Sequence, residues 1–252
     1  MQSKLPSMLV VICVLLCLCC AACNGDAIEF PERTVKLPDL SAPASIQGEV
    51  HFDGVPPRRV RLELDSDAWC RGPASEVRLS ESVIVTDGRL ADTLVWVEKG
   101  LEAYVWPLVK EPAVLSNKNC MYVPHVLAVQ AYQPVRFVSE DGTAHNINTS
   151  GSAQGSNRSL SARGEEFTMQ FRQPEMSIPA RCNIHPWMEG FIHVLPHPIF
   201  AVTGPDGRYR LPPLPAGTYT ITAVHPKLGT KSASVTVAAN GQATQDFHFT
   251  KR

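Results

Sequence analysis

Short runs of alternating apolar and polar residues, each closed by turn residues, recur along most of this chain. Residues 48–52 (Gly-Glu-Val-His-Phe) end at Asp53-Gly54, and residues 82–85 (Ser-Val-Ile-Val) are followed by Asp87-Gly88. A period of two places one face of a strand on a core, and Asp-Gly pairs favour tight turns. The 252 residues include 21 prolines and 16 glycines, with few long helical patterns. The sequence therefore predicts an all-β protein of sandwich or barrel type.

The first 22 residues have the features of an export signal. Lys4 precedes an apolar stretch from Met8 to Ala22, which is too short for a comfortable membrane span. Cys20-Ala21-Ala22-Cys23 is similar to a bacterial lipobox, in which Cys23 would become the lipidated first residue, although Cys20 stands where an aliphatic residue is usual. The alternatives are an ordinary cleaved signal or an uncleaved anchor. We expect a protein of the bacterial cell envelope, on the periplasmic side, attached to a membrane through lipid.

The remaining chain divides into three parts. Residues 23–45 are polar and contain three prolines, which predicts a tether that holds the folded part away from the membrane. Residues 46–195 are expected to form one β domain that includes an N-terminal β extension, and residues 196–252 a smaller β sandwich. The formal net charge is −1 with both signs interspersed, so we expect no nucleic-acid partner.

One seven-residue segment concentrates metal-binding side chains. Cys182, His185 and Met188 supply a thiolate, an imidazole and a thioether, and His145 is the best donor of a second imidazole. Thiolate and thioether favour Cu(I), while imidazoles suit both oxidation states, so the set predicts one type 1 copper. Zinc also accepts one Cys and two His, but Met is a poor zinc ligand.

The other cysteines of the exported chain are explained in part. If Cys23 carries lipid and Cys182 binds metal, Cys70 and Cys120 remain, and an oxidising compartment would allow them to pair. Two alternatives stay open: free thiols, or ligands of a second metal together with His125.

Two segments carry a resemblance to a known family. Residues 144–147 (Ala-His-Asn-Ile) and 182–188 (Cys-Asn-Ile-His-Pro-Trp-Met) resemble the two copper-binding loops of the cupredoxins, the plastocyanin and amicyanin superfamily, with a spacing most similar to amicyanin. The resemblance implies a Greek-key β sandwich or barrel. It also implies that Asn146, which follows the first histidine, braces the loop that carries Cys182.

The flanking regions carry further resemblances. Asp67-x-x-Cys70 and the segment from Cys120 to Val126 are similar to patterns in bacterial exported proteins described as plastocyanin-like or methylamine-utilisation-like. Residues 206–211 and 214–219 resemble a carboxypeptidase regulatory-like, transthyretin-type β sandwich.

The cupredoxin resemblance implies a carrier of single electrons rather than an enzyme. A type 1 copper has no open position for substrate, and the chain has no His-x-His pairs that would bind further coppers. We expect the edge of His185 to lie near solvent and redox proteins to dock transiently near His185 and Trp187. The alternatives are a module that handles or senses copper, and a β-sandwich scaffold that the metal only stabilises.

Overall fold

The computed structural model describes residues 27–64, 66–72 and 77–251. Within these residues the chain is almost entirely β, with one short helix, α1 (Ala68–Arg71), so the predicted all-β class is confirmed. No helix in this described part has the length and apolar character needed to cross a membrane. The expected signal peptide, Cys23 and the beginning of the tether lie outside the described residues.

The strands are named here in chain order, with their bounds: β1 (Ser45–Phe52), β2 (Val85–Thr86), β3 (Arg89–Leu90), β4 (Leu94–Lys99), β5 (Ala113–Lys118), β6 (Met121–Val123), β7 (Val126–Gln130), β8 (Pro134–Ser139), β9 (His145–Ser150), β10 (Gly155–Leu160), β11 (Glu166–Gln170), β12 (Glu175–Arg181), β13 (Glu189–Leu195), β14 (Phe200–Val202), β15 (Arg208–Arg210), β16 (Gly217–His225), β17 (Gly229–Val237), β18 (Gln242–Thr244) and β19 (Phe247–Phe249).

The first sandwich is formed by residues 113–195. One sheet has the strand order β10-β9-β12-β13-β7 and the other β11-β8-β5-β6. The pairs β5–β8 and β7–β13 are parallel, so the chain crosses over rather than running through consecutive hairpins. The apolar core between the sheets includes the fully buried side chains of Leu115, Phe137, Ile147 and Ile192. This two-sheet packing agrees with the predicted sandwich.

The second sandwich combines strands from both ends of the described chain. Its first sheet has the order β15-β1-β3-β2, with β18 and β19 also paired to β1, and its second sheet has the order β14-β4-β16-β17. Ile46, Val50 and Phe52 of β1 point into a core that they share with Ile221 and Phe249. Burial of these apolar side chains holds the N-terminal strands to the C-terminal ones.

The strand pairing places the N-terminal β extension in the second sandwich rather than in the first. The N-terminal β extension was expected to belong to residues 46–195, yet β4 lies between β14 and β16, and β1 pairs with β15, β18 and β19. An alternating pattern shows that a strand has one buried face, but not which core receives that face. A unit of about 55 residues buries a comparatively small fraction of its surface when it folds alone, and the N-terminal strands enlarge the core of the C-terminal unit.

The described part of the expected tether lies against the body of the protein. Glu29 and Gln170 exchange two hydrogen bonds of 2.7 and 2.9 Å, and Lys36 exchanges two backbone bonds of 2.9 Å with Val105. The Arg33 guanidinium donates to a carbonyl oxygen at 3.2 Å. From residue 27 onward the segment is therefore attached to the folded part rather than extended away from it.

Gly48 tests the pairing of β1 with the C-terminal strands. A Cβ atom at this position would lie 1.9 Å from the carbonyl oxygen of Gln245, so Gly48→Ala must push the two segments apart. We expect a loss of about 1–3 kcal/mol in the free energy of unfolding, measured by urea denaturation. The control Gly204→Ala meets only a side-chain oxygen at 3.6 Å and should change stability by less than about 0.5 kcal/mol. Equal stability of the two variants would contradict the pairing.

Candidate metal centre

The predicted ligands lie at the same end of two neighbouring strands. β9 begins with His145, and Cys182 follows the last residue of β12. The strands are antiparallel, and their register places Asn148 opposite Arg181. The start of β9 therefore meets the end of β12, which brings together two segments that are far apart in sequence.

Three of the predicted ligand side chains converge. One donor atom each of His145, Cys182 and His185 lies within 4.8 Å of the others. The two Nδ1 atoms are 3.1 Å apart, and the Cys182 Sγ atom is 3.8 Å from Nδ1 of His185. The relative exposure of these residues is 0%, 4% and 1%, respectively, so the three donors meet out of contact with water.

The loop between β12 and β13 also contains Met188, and backbone hydrogen bonds connect this residue to the other two predicted ligands of the loop. Its backbone N–H donates to the carbonyl of His185 at 2.9 Å, and the Cys182 N–H donates to the carbonyl of Met188 at 3.3 Å. Met188 is 1% exposed and belongs to the same apolar core as Cys182. The loop thus closes on itself and buries the Met188 side chain in the core that contains Cys182.

Asn146 connects the two ligand-bearing segments. Its backbone N–H donates to Sγ of Cys182 at 3.4 Å, and its side-chain oxygen accepts from the N–H of Asn183 at 3.2 Å. Its side-chain nitrogen donates to Asn157, and its carbonyl accepts from the Tyr122 hydroxyl at 2.6 Å. Asn146 therefore occupies the bracing position that the sequence predicted, and Tyr122 fixes it from the opposite sheet.

A buried carboxylate holds His145. The ring Nε2–H donates to Oδ2 of Asp141 at 2.8 Å, while the two oxygens of Asp141 accept the backbone N–H groups of Asn119 and Cys120 at 2.7 and 2.8 Å. Burial favours the neutral acid, but these hydrogen bonds outweigh it and lower the pKa of Asp141. Asn119 and Cys120 have φ values of 53° and 54°, so the carboxylate also stabilises a turn whose backbone is unfavourable for such residues.

A second carboxylate holds His185. The ring Nε2–H donates to Oδ2 of Asp67 at 3.1 Å, and the same oxygen accepts from the Thr143 hydroxyl at 2.7 Å. Oδ1 of Asp67 caps α1 by accepting from the N–H groups of Trp69 at 2.7 Å and Cys70 at 3.2 Å. Although burial opposes the charge, these bonds lower the pKa of Asp67 to about 2, so the group is a carboxylate.

The structure joins Cys70 to Cys120 in a disulfide, with 5.5 Å between the Cα atoms. The Sγ atom of Cys70 lies 3.7 Å from Nε2 of His185, so the bridge is in contact with the site. Cys182 is the free cysteine of the described residues. His125, the alternative partner of Cys120, has its Nδ1 against a carboxylate oxygen of Asp92 at 2.8 Å instead.

The expectation that the edge of His185 reaches solvent is wrong. His185 is 1% exposed because α1 and Asp67 cover its Nε2 atom. The Trp187 ring, 5.0 Å away between centroids, is half-buried and donates through Nε1–H to the carbonyl of Cys120 at 3.1 Å. The neighbouring Ile184 side chain is 49% exposed and faces the surface in place of the histidine.

The charges of the three donors are coupled. Burial by itself would lower the pKa of His145, but hydrogen bonds to Asp141 and Cys182 have the larger effect and raise this pKa to about 9. Burial lowers the pKa of His185. For Cys182, burial by itself would raise the pKa of the thiol, but hydrogen bonds, of which the one from His145 is the strongest, have the larger effect and lower it. In the metal-free site an additional proton is therefore held by His145 rather than by His185.

The residues at this site fit a copper ion. Each imidazole uses Nε2 to donate to a carboxylate, so Nδ1 is the nitrogen that each ring can offer to a metal once His145 has lost its additional proton, as metal-ligating histidines are commonly arranged. A thiolate, two imidazoles and a buried thioether form the donor set of blue-copper sites. Copper would be held by His145, Cys182, His185 and Met188.

Sequence reasoning missed two residues that orient the histidines. Asp141 stands four residues before His145, a spacing that could have suggested a carboxylate partner for that ring. Asp67 lies 118 residues before His185, and no local pattern links them. Only the pairing of Cys70 with Cys120 could have indicated that this segment approaches the site.

One protein family matches the C-terminal part of the chain. Residues 197–250 match the carboxypeptidase regulatory-like domain family, which confirms the prediction for this region. None of the curated proteins compared matches the chain.

Several solved structures are similar to part of the chain. They include a copper-containing nitrite reductase from Thermus scotoductus, at 23% identity over 38% of this chain and 24% of that one, with a TM-score of 0.32. The chain thus spans about a quarter of that enzyme. An oxidised proline-to-glycine mutant of amicyanin matches at 13% identity over 40% of this chain and 97% of that one, with a TM-score of 0.31. A purple cupredoxin from Nitrosopumilus maritimus matches at 22% identity over 32% and 98%, with a TM-score of 0.29. The assignment of a metal therefore rests on the site's own residues.

Replacement of Asp141 tests the coupling of the donors. In the metal-free protein, Asp141→Asn removes the charge that stabilises the imidazolium, so the titration midpoint of His145 should fall from about 9 towards the ordinary value of 6.5. Because folding raises this pKa, its contribution to stability is complete below about 6.5 and is lost as the pH rises through about 9. Histidine NMR titration measures the midpoint. Asp92→Asn, which alters the separate pair with His125, should leave it unchanged, and an unchanged midpoint in Asp141→Asn would refute the coupling.

Proposed function

We propose that this protein is an exported type 1 copper protein that carries single electrons between redox partners. The observation that carries the proposal is the buried convergence of the thiol and one ring nitrogen of each histidine, all within 4.8 Å, with Met188 buried in the same core. Copper bound there would supply a centre that gains and loses one electron.

The surrounding residues suit this role because they are held independently of the metal. Asn146 ties the two ligand-bearing segments together, and Asp141 orients the ring of His145. Strand ends that fix the ligands in one geometry would limit rearrangement when the oxidation state changes. A dry environment would also keep water from the thiolate.

The cellular setting is part of the proposal. A signal in residues 1–22 and lipid on Cys23 would place the protein at the bacterial cell envelope, on the periplasmic side. Partners would dock transiently near Trp187, with the 49% exposed Ile184 offering an apolar contact beside His185. This arrangement suits a carrier rather than an enzyme.

A second function is favoured by one observation. The three converging donors are all at most 4% exposed, and such closure also suits a module that handles copper without passing electrons. A reversible reduction potential would support the carrier. Copper held only as Cu(I), with no colour, would support handling.

Replacement of Cys182 tests the copper ligand set. The wild-type protein loaded with Cu(II) should show intense blue absorption and the narrow electron-spin signal of a type 1 site. Cys182→Ser removes the thiolate, so we expect complete loss of the blue band. Met169→Leu changes another buried residue of the same core and should retain the absorption, whereas colour in Cys182→Ser would refute the assignment.

Replacement of Met188 tests the thioether. Met188→Leu keeps the apolar volume but removes electron donation to the metal and leaves more hydrophobic surroundings, which disfavour the more highly charged oxidised ion, so the reduction potential should become more positive. Met169, which is buried in the same core at 6% exposure, provides a matched control: Met169→Leu should leave the potential unchanged. Voltammetry measures both, and equal potentials would show that Met188 does not face the metal.

A further inference from the structure

We propose that Asp67 is a positioning residue for the copper ligand His185, presented by a short covering segment that the Cys70–Cys120 disulfide fixes over the site. The covering segment is residues 66–72, which contain α1. This inference rests on the proposed function and extends it to a part of the chain outside the ligand-bearing sandwich.

The contact between Asp67 and His185 is specific in its atoms. Oδ2 of Asp67 accepts from Nε2 of His185 at 3.1 Å, while Nδ1 of the same ring faces Nδ1 of His145 at 3.1 Å. A neutral imidazole whose Nε2 holds a proton for a carboxylate presents a lone pair at Nδ1. Asp67 therefore selects the ring orientation and the tautomer that ligation through Nδ1 requires.

Other contacts besides this one hold the covering segment in place. The disulfide joins Cys70 to Cys120, whose own N–H is bonded to Asp141. Thr143, two residues before the other histidine, donates to Asp67 at 2.7 Å. The Trp69 ring packs so closely on Gly142 that a Cβ there would lie 2.8 Å from a ring carbon. The segment is thus attached to the turn that contains Cys120 and to the loop that carries Asp141.

The cover is thin. Trp69 is 49% exposed and the Asp67 side chain is 20% exposed, whereas His185 beneath them is 1% exposed. Removal of this one segment would therefore open the Nε2 edge of His185 to solvent. Because Cys70 also lies 3.7 Å from that atom, the disulfide itself forms part of the lid over the ring.

The first experiment uses the metal-free full chain and asks how the His185 ring is protonated. Nitrogen-15 NMR of the wild type should show one tautomer with the proton on Nε2. Asp67→Asn keeps a residue that caps helices well but removes the charge, so the preference for this tautomer should be reduced. Asp39→Asn is a matched control, since Oδ1 of the exposed Asp39 also accepts an N–H two residues ahead. The same tautomer in all three proteins would overturn the proposal.

The second experiment measures access to His185 by diethyl pyrocarbonate labelling and mass spectrometry. In the wild type His185 should stay unlabelled while the exposed His248 reacts. Cys70→Ser/Cys120→Ser releases the segment, and His185 should become labelled while His145, covered by other elements, stays protected. His185 that remains unlabelled in a folded double variant would show that the disulfide does not maintain the cover. If the double variant does not fold, the same labelling of folded wild-type protein after reduction of its disulfide decides in its place, and His185 that stays unlabelled overturns the proposal.

A third measurement links the positioning to the metal. Loss of a carboxylate that orients a ligating histidine typically lowers metal affinity about 10- to 100-fold, and we expect this loss for Cu(II) in Asp67→Asn but not in Asp39→Asn. Equal affinities in both variants would overturn a role for Asp67 at the metal. The NMR and labelling results do not depend on copper. A colourless wild type with the expected tautomer would therefore refute the electron carrier alone, and a blue wild type without it would refute the positioning alone.

Discussion

The two histidines of the site are held by two carboxylates that one disulfide connects. From His145 the contacts run through Asp141 to the backbone of Cys120, across the disulfide to Cys70, and through the capped helix to Asp67 and His185. Each buried ring needs a partner at both nitrogens, because an unpaired polar group in the interior costs about 1–3 kcal/mol. Each carboxylate accepts a hydrogen bond from one nitrogen of its histidine ring, so the other nitrogen of each ring can bind a cation that the two rings share. The positions of the thiol, the loop and the covering segment all depend on this arrangement.

The two sandwiches depend on one another for a related reason. β4 precedes the first sandwich and β14 follows it, and these two strands pair within the second sandwich. Both ends of residues 113–195 are thereby fixed to one sheet, as in a domain inserted into another. The small C-terminal unit gains core area from the N-terminal strands in return. In the sequence the covering segment lies between β1 and β2 of the second sandwich, so its disulfide to Cys120 links a connection of that sandwich to the first one.

Much of this structure could be predicted from residues close together in sequence. The alternation at β1 and β16 predicts strands because a period of two needs only local information. The spacing of Cys182, His185 and Met188 brings three donor types into one loop, and Asn146 stands next to His145. The core that receives β1 could not be predicted, because the same alternation fits either sandwich. The contact of Asp67 with His185 could not be predicted either, because it joins residues 118 positions apart through a disulfide and a helix cap.

By itself, the sequence determined the all-β class, the identity of the carboxypeptidase regulatory-like unit and the chemistry of the donor set, since these depend on residue type and short spacing. The tertiary structure decided how accessible the site is. The loop position of His185 predicted an exposed edge, but a segment from a distant part of the chain covers it and supplies its carboxylate. Exposure is a property of everything packed around a side chain, and local sequence describes only the side chain itself.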